Sequence, residues 1–294
     1  MKMLTIIGTV PLKGMPLTLG SCKFSNGKLK VDDLELPLIN GTSVMIAAAV
    51  TTSGSLGIKT PQAILAGDTG SGDGSNLIYR FLRDQKCSLH ASSNQEIFAL
   101  HYIKPNILYI KEAVKRLKRK PNAILVADAG AMYVAKAAGI AKEFDLFTPD
   151  LGEMAFLADP EAVHPAYVRN YLFENANDVD SLIKQAYEYS NASNFLLVKG
   201  AIDYVVDRAT VVAKVVEPSV AALEPIGGTG DSLSGIVSSL IDSGLDIKHA
   251  AIIAAKTNRL MGKYSNPNPS TKVWEMLSNI PKALQEAKTV STLG

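Results

Sequence analysis

The chain has 294 residues, 47% hydrophobic and 20% charged, with 30 lysines and arginines against 28 aspartates and glutamates for a net charge of +2. That balance is ordinary for a globular enzyme and offers neither the basic stripe of a nucleic-acid binder nor an acidic-membrane signature. The apolar run SVMIAAAV (43–50) is much too short to cross a bilayer, and two cysteines, Cys22 and Cys87, suggest neither a disulfide framework nor a metal site. A cytoplasmic protein with no nucleic-acid or membrane partner is expected.

The opening stretch MKMLTIIGTVPLKG is broken by glycine and proline and lacks the pattern of a signal peptide. Residues 1–60, with GTVPLKGMPLTLG and SNGKLKVDD, read as a divergent β-rich segment wrapped on a main sheet. AILAG (63–67) is a buried-strand candidate, DTGSGDGS (68–75) a loop and NLIYRFLRDQK (76–86) an amphipathic helix. NILYI (106–110) is an apolar run of strand type before KEAVKRLKRKPN (111–122), whose cations at helical spacing read as a solvated face. AILVADAG (123–130) is a strand ending in an acid, MYVAKAAGIAKEF (132–144) a helix and DLFTPD (145–150) a strand-to-loop transition. DVDSLIKQAYEYS (178–190) is a helix feeding the strand NFLLVKGA (194–201), and YVVDRATVVAKVVE (204–217) alternates like an antiparallel pair. GGTGDSLSGIVSSLIDSG (227–244) is a turn and helix, followed by a second helix, DIKHAAIIAAKTNRLMGKY (246–264). Strands alternating with helices give βαβ units, and no linker separates parts of the chain. The expected fold is one doubly wound α/β domain over 1–294. Exposed β-edges in its first segment leave a homo-oligomer open.

Parallel α/β sheets place ligands beyond the carboxyl ends of their strands. Asp68, Asp128, Thr148, Asp150, Glu153, Lys199 and Asp231 all fall at such ends. In IGGTGDSLSGI (226–236), glycines at 227, 228 and 230 let the backbone turn sharply and approach a ligand. The helix that follows has free N–H groups and roughly half a positive charge at its start. That combination makes an anion hole for a phosphoryl group. Asp231 beneath it would not bind phosphate, because like charges repel; it could take the proton of an attacking hydroxyl, or merely cap the helix. Asp128, at the end of a buried strand, suits a substrate pocket, and Gly70, Gly72 and Gly74 suggest close approach to substrate beside Asp68. Asn258 is a candidate for the adenine pocket. His90, His101, His164 and His249 have no metal spacing and no evident partner, and read as structural or surface residues. The string is neither a P-loop nor a dinucleotide fingerprint.

GGTGDSLSGI, after LLVKGA and before an alanine-rich helix, resembles the ribokinase-like superfamily. Within it, FTPDLGEMAFL is similar to the T-P-H-P-G-E-[MF]-x-x-L of ADP/ATP-dependent NAD(P)H-hydrate dehydratases, matching at Thr148, Pro149, Gly152, Glu153, Met154 and Leu157. VKGA (198–201), AILAGDTGSGDGS and NIPKAL (279–284) resemble further segments of that branch. The resemblance implies a three-layer α/β/α fold with a mostly parallel central sheet. It implies an anion hole at Gly228, Thr229 and Gly230, Asp231 as catalytic base, Lys199 on a nucleotide phosphate, and Glu153 placing Mg²⁺ through water. ATP or ADP would phosphorylate a small-molecule hydroxyl, followed by elimination. Three departures stand out: Asp150 replaces the family histidine, the D-A-D-A segment reads Asp128, Ala129, Gly130, Ala131, and residues 1–60 match neither a kinase lid nor the dehydratase. Two alternatives are a plain kinase for a sugar, nucleoside or vitamin-like alcohol, and a nucleotide-binding protein without catalysis.

Overall fold

The computed structural model describes residues 2–84, 95–120, 122–165 and 178–291. Strands β1 (Lys2–Val10), β5 (Gln62–Gly67), β6 (Gln95–His101), β7 (Ile124–Ala127), β8 (Leu146–Phe147) and β9 (Phe195–Val198) run parallel in the order β5-β1-β6-β7-β8-β9. The hairpin β10 (Asp203–Asp207) and β11 (Thr210–Val215) continues the β9 edge antiparallel. At the other edge β2 (Thr18–Ser25), β3 (Lys28–Val31) and β4 (Leu34–Leu36) add an antiparallel meander.

Side chains alternate across this sheet and fill two separate cores, as the two-residue period of a strand requires. Leu4, Ile6, Ala63, Leu65, Ile97 and Ala99 face one core. That core holds α1 (Thr42–Leu56), α7 (Thr229–Asp242), α8 (Ile247–Ser265), α9 (Val273–Met276) and α10 (Ile280–Ser291). Ile7, Ile64, Ala66, Phe98 and Leu100 face the other. There lie α2 (Asp73–Asp84), α3 (Ile107–Leu117), α4 (Gly130–Ala137), α5 (Leu151–Ala158) and α6 (Val179–Glu188). The molecule is a three-layer α/β/α sandwich.

Two sequence expectations change. NILYI is not a strand: Ile107 opens α3, and the Asn106 side chain caps it by accepting from the Tyr109 amide at 3.1 Å. The strand lies earlier, at QEIFALH, whose burial on both faces leaves little alternation to read. Nor is the first segment wrapped on the sheet. It supplies β1 in the middle of it, and SVMIAAAV becomes most of α1, buried on nearly every side because it is apolar all round. Cys22 is buried and unpaired, while Cys87 and His90 lie outside the described residues. Among the described residues no helix is long and apolar enough to cross a membrane.

α1 and α7 pack unusually close. A Cβ on Gly235 would stand 2.2 Å from the Met45 carbonyl, and Ser239 Oγ donates to the Ala49 carbonyl at 3.0 Å. This contact fixes the starts of both helices beside the carboxyl ends of β1 and β6.

Candidate active site

α7 begins at Gly228, which takes the left-handed conformation (φ 96°) and whose start carries no side-chain cap. Alanine there would be strained, and its Cβ would come 2.8 Å from Val273 Cγ1. A helix start without a side-chain cap has free N–H groups and a dipole that favour an anion. Asn258 on α8 braces the turn: Nδ2 donates to the Thr229 carbonyl at 3.1 Å, and Oδ1 accepts from Ser232 Oγ at 2.7 Å. Lys199, directly after β9, packs against Gly230, whose notional Cβ lies 3.3 Å from Nζ.

Asp231, in the first turn of α7, reaches away from its own helix. One oxygen accepts from the Gly41 amide at 2.6 Å, and Gly41 is the N-cap of α1 (φ 72°). The other lies 3.1 Å from His101 Nε2. Asp231 is therefore not the cap of its own helix. Burial pushes its carboxyl upward, but the His101 contact, the Gly41 amide and the Lys199 charge outweigh this and hold it below the ordinary carboxylate range. Asp231 keeps 13% of its side chain exposed and His101 none, so the carboxylate meets solvent and the imidazole does not.

Behind it runs a buried polar network. Asp128, directly after β7, accepts from Lys199 Nζ at 2.9 and 3.1 Å, from Ser234 Oγ at 2.6 Å and from the Ala129 amide at 2.9 Å. Thr148 joins it through Ser234 at 2.9 Å. Burial lowers Lys199, but Asp128 and Glu153 overcome that and hold the ammonium above its ordinary range. The lysine is a fixed charge beside the start of α7.

Asp150 and Glu153 form a capping box at the start of α5: Asp150 Oδ1 accepts from the Glu153 amide at 2.8 Å, and Glu153 Oε2 accepts from the Asp150 amide at 2.9 Å. Tyr133 donates to Glu153 Oε1 at 2.6 Å. Burial, with Asp128 and Asp150 nearby, pushes the Glu153 carboxyl up to about 7 against the pull of Lys199 and the Tyr133 hydroxyl. A carboxylate with spare lone pairs, sitting among acids and held near neutrality, suits a hard divalent cation that keeps its waters.

Asp68 is committed to its own loop. It accepts from the amides of Gly70 (2.9 Å), Gly72 (3.0 Å) and Ser75 (3.1 Å) and from Ser75 Oγ (2.8 Å). Burial raises this carboxyl, but those amides outweigh it and hold it low. The positive φ of Gly70 (112°) and Gly72 (88°) lets the loop wind around the carboxylate. Lys104 ties the loop to the segment after β6, its amide donating to Ser75 Oγ at 3.0 Å and its ammonium to the Gly70 carbonyl.

The structure adds four residues that the sequence pattern does not place here: Gly41, Thr42, His101 and Tyr102. His101 Nδ1 lies 3.0 Å from Thr42 Oγ1. Tyr102 has a positive φ (42°), sits edge-on to His101 at 4.4 Å and is 50% exposed. Burial and the charges of Asp231, Asp128 and Glu153 push its hydroxyl up to about 12. Their signals in the sequence are slight. Gly8 interrupts the apolar run of β1 because a Cβ there would stand 2.2 Å from the His101 carbonyl and 2.9 Å from Thr42 Oγ1. His164 lies by Tyr133, and on the surface Asp246 caps α8 by accepting from the His249 amide, with the His249 ring 2.6 Å from its other oxygen.

Comparison with known proteins agrees with this architecture. An uncharacterised protein of Methanocaldococcus jannaschii is 41% identical over 242 residues, covering 82% of this chain and 98% of that one. The bifunctional NAD(P)H-hydrate repair enzyme Nnr of Hyperthermus butylicus is 37% identical over 91 residues, 30% of this chain and 16% of that protein. Escherichia coli phosphofructokinase-2, solved with fructose-6-phosphate, shares the fold at TM-score 0.55 and 13% identity, covering 97% of this chain and all of that one. Bacillus subtilis YxkO, described as a putative kinase, gives the same TM-score and identity over 97% of this chain and 91% of that one. Residues 104–282 match the carbohydrate-kinase family described as NAD(P)H-hydrate dehydratase, and the chain belongs to that family, as an enzyme of the ribokinase-like kinase and dehydratase kind.

Proposed function

We propose that this protein moves a phosphoryl group from a Mg²⁺-bound adenine nucleotide to a small-molecule hydroxyl, and that the acceptor is hydrated NADH or NADPH. One observation carries the reading: an ionised, partly exposed carboxylate, Asp231, stands at an uncapped helix start with a free glycine turn above it. In the proposed step the acceptor oxygen bonds to phosphorus as the bond to the departing nucleotide breaks. Asp231 takes the hydroxyl proton. The amides at 228–231 and the Lys199 ammonium hold the negative charge that develops, a contribution worth on the order of 10²–10³ in rate for each well-placed donor. Glu153 would hold Mg²⁺ through water, and the ion supplies charge neutralisation at the phosphates. Phosphate then leaves with its C–O bonding electrons, and loss of a ring proton restores the nicotinamide double bond.

Hydrated NADH mixed with protein, Mg²⁺ and either ATP or ADP tests this directly. Recovery of nicotinamide absorbance that needs nucleotide and disappears in Asp231→Asn supports the repair reaction and names the donor. A second reading, a plain small-molecule kinase, is favoured by Asp150, which stands where the dehydratase pattern has histidine and caps α5. Stable accumulation of a phosphorylated alcohol without elimination selects it. A cytoplasmic enzyme is the setting we infer, since its nucleotide would be drawn from there.

A further inference from the structure

His101 is fully buried, yet both ring nitrogens face polar partners. The Thr42 hydroxyl lies 2.8 Å from the Thr9 carbonyl as well as 3.0 Å from His101 Nδ1. Thr9 lies near the end of β1 with its amide donating to the Tyr102 carbonyl, and the amide of Lys104, further along that edge, turns to Ser75 instead. The Thr9 carbonyl is thus left to the Thr42 hydroxyl. A hydroxyl has one proton, so the Thr42 oxygen, having donated to Thr9, accepts from Nδ1–H. On the far side, Nε2 faces Asp231 Oδ1 at 3.1 Å and Asp128 Oδ2 at 3.6 Å. Assigned from this network, the imidazole donates at both nitrogens. Thr9, Thr42, His101 and Asp231 form one chain from the central strand to the site.

We propose that His101 is a positioning residue: through Thr42 it holds one oxygen of Asp231, so that the carboxylate stays ionised and turns its remaining lone pairs to the acceptor hydroxyl. The inference rests on the reading of Asp231 as base. A buried carboxylate left without such a donor would drift toward its neutral form, which cannot take a proton. The charged and titratable groups facing Asp231 are His101 and Tyr102 at the end of β6 and Lys199 after β9, with Asp128 behind the imidazole and the Gly41 amide at the start of α1.

Three variants separate this role from simple packing. His101→Gln keeps a donor near the Nε2 position but loses the charge. His101→Asn keeps a donor near Nδ1 and loses the reach to Asp231. Thr42→Val leaves the ring in place and removes its anchor. The first measurement is ¹³C NMR titration of the Asp231 carboxyl in protein labelled at aspartate, the signal being assigned by its loss in Asp231→Asn. Removing an opposite charge at this range moves a carboxyl by about 1–3 pH units. The midpoint is expected to rise in both histidine variants, most in His101→Asn, and by less in Thr42→Val. The second measurement is phosphoryl transfer. kcat is expected to fall about tenfold in His101→Gln and about a hundredfold in His101→Asn, within the range of general-base effects, with nucleotide KM unchanged.

An Asp231 midpoint that stays put in folded His101→Asn and Thr42→Val overturns the proposal. So does a shifted midpoint with undiminished kcat. If wild-type protein transfers no phosphoryl group to any alcohol while the midpoint moves as expected, the base reading fails and the positioning role with it. The titration then still reports the pairing, which keeps the two failures distinct.

Discussion

Two stretches of chain meet at Asp231, and they bring different chemistry. Residues 104–282, the stretch that matches the dehydratase family, supply the uncapped turn at Gly228, the Lys199 charge, the Asp128 network and Glu153. On the proposed reading these are groups for phosphate and a metal ion. Residues 2–103 supply the Gly41 amide, Thr42, His101 and the half-exposed ring of Tyr102. None of these is a phosphate group. They grip the far side of the same carboxylate and line the mouth where an acceptor would enter. If the proposed reading holds, the family match reaches the donor side of the site, while the acceptor side is written in sequence outside it.

The strongest way to break that division is at its hinge. Asp231→Asn should lose about 10²–10⁴ in kcat, the usual contribution of general-base catalysis, while calorimetry finds nucleotide affinity within about twofold of wild type. An equal loss of affinity would mean that the residue belongs to the donor side alone. Lys199→Met should come next, raising nucleotide KM about tenfold or more and leaving acceptor KM nearly unchanged, because on the proposed reading it removes a charge-assisted contact to phosphate. Tyr102→Ala should do the reverse. Loss of stacking on a flat acceptor costs about 1–3 kcal/mol, roughly 5- to 150-fold in acceptor KM, with nucleotide KM unmoved. A Tyr102 effect on nucleotide instead would erase the boundary.

Glu153 sharpens the donor side by proton release. Its carboxyl is pushed up to about 7, and a divalent cation nearby favours the ionised form and lowers it. Mg²⁺ with nucleotide should therefore release a fraction of a proton between about pH 5 and 8, seen as a buffer-dependent binding enthalpy, and Glu153→Gln should abolish the release.

The smallest effect lies at the opposite end of α7. Asp242 is also buried, but it sits where the helix dipole is negative, one of its oxygens has no hydrogen-bond partner, and burial pushes it up to about 6 despite Lys2. Its ionised form is disfavoured in the folded state. The cost is absent below its ordinary range near 4 and grows as pH rises to about 6. Asp242→Asn should raise the Tm at pH 7 and change it little at pH 4. After discounting for partial solvent screening, the gain is about 1 kcal/mol.

Much of the fold and part of the site are legible in the amino-acid order alone. The alternation of strands and helices implies βαβ units, and the acids at strand ends point to the site, because ligands of parallel sheets gather there. IGGTGDSLSGI discloses its turn through glycines that only a left-handed or crowded backbone demands, at Gly228 and at Gly235. What stays hidden depends on contacts between distant segments. His101 and Asp231 are 130 residues apart, and nothing in QEIFALH marks one histidine as different from a core residue. Asp68 reads as a substrate group because its neighbours are glycines, whereas those glycines turn their amides inward to it. Residues 1–60 are opaque for a related reason. A helix of small apolar residues such as α1 shows no polar face, so its partner is visible only once α7 is packed on it.

The grip of the α1 start and of His101 on one carboxylate also makes the site open to chemical rescue. With Asp231 cut back to glycine, the Gly41 amide and His101 would still point at the vacated space. Formate fits that space in charge and size. Asp231→Gly should regain part of its lost turnover as formate is added, saturating at millimolar levels, whereas Asp231→Asn, whose amide fills the space, should not. A missing catalytic group would then be replaced from solution, with the positions of α1 and α7 serving as its mould.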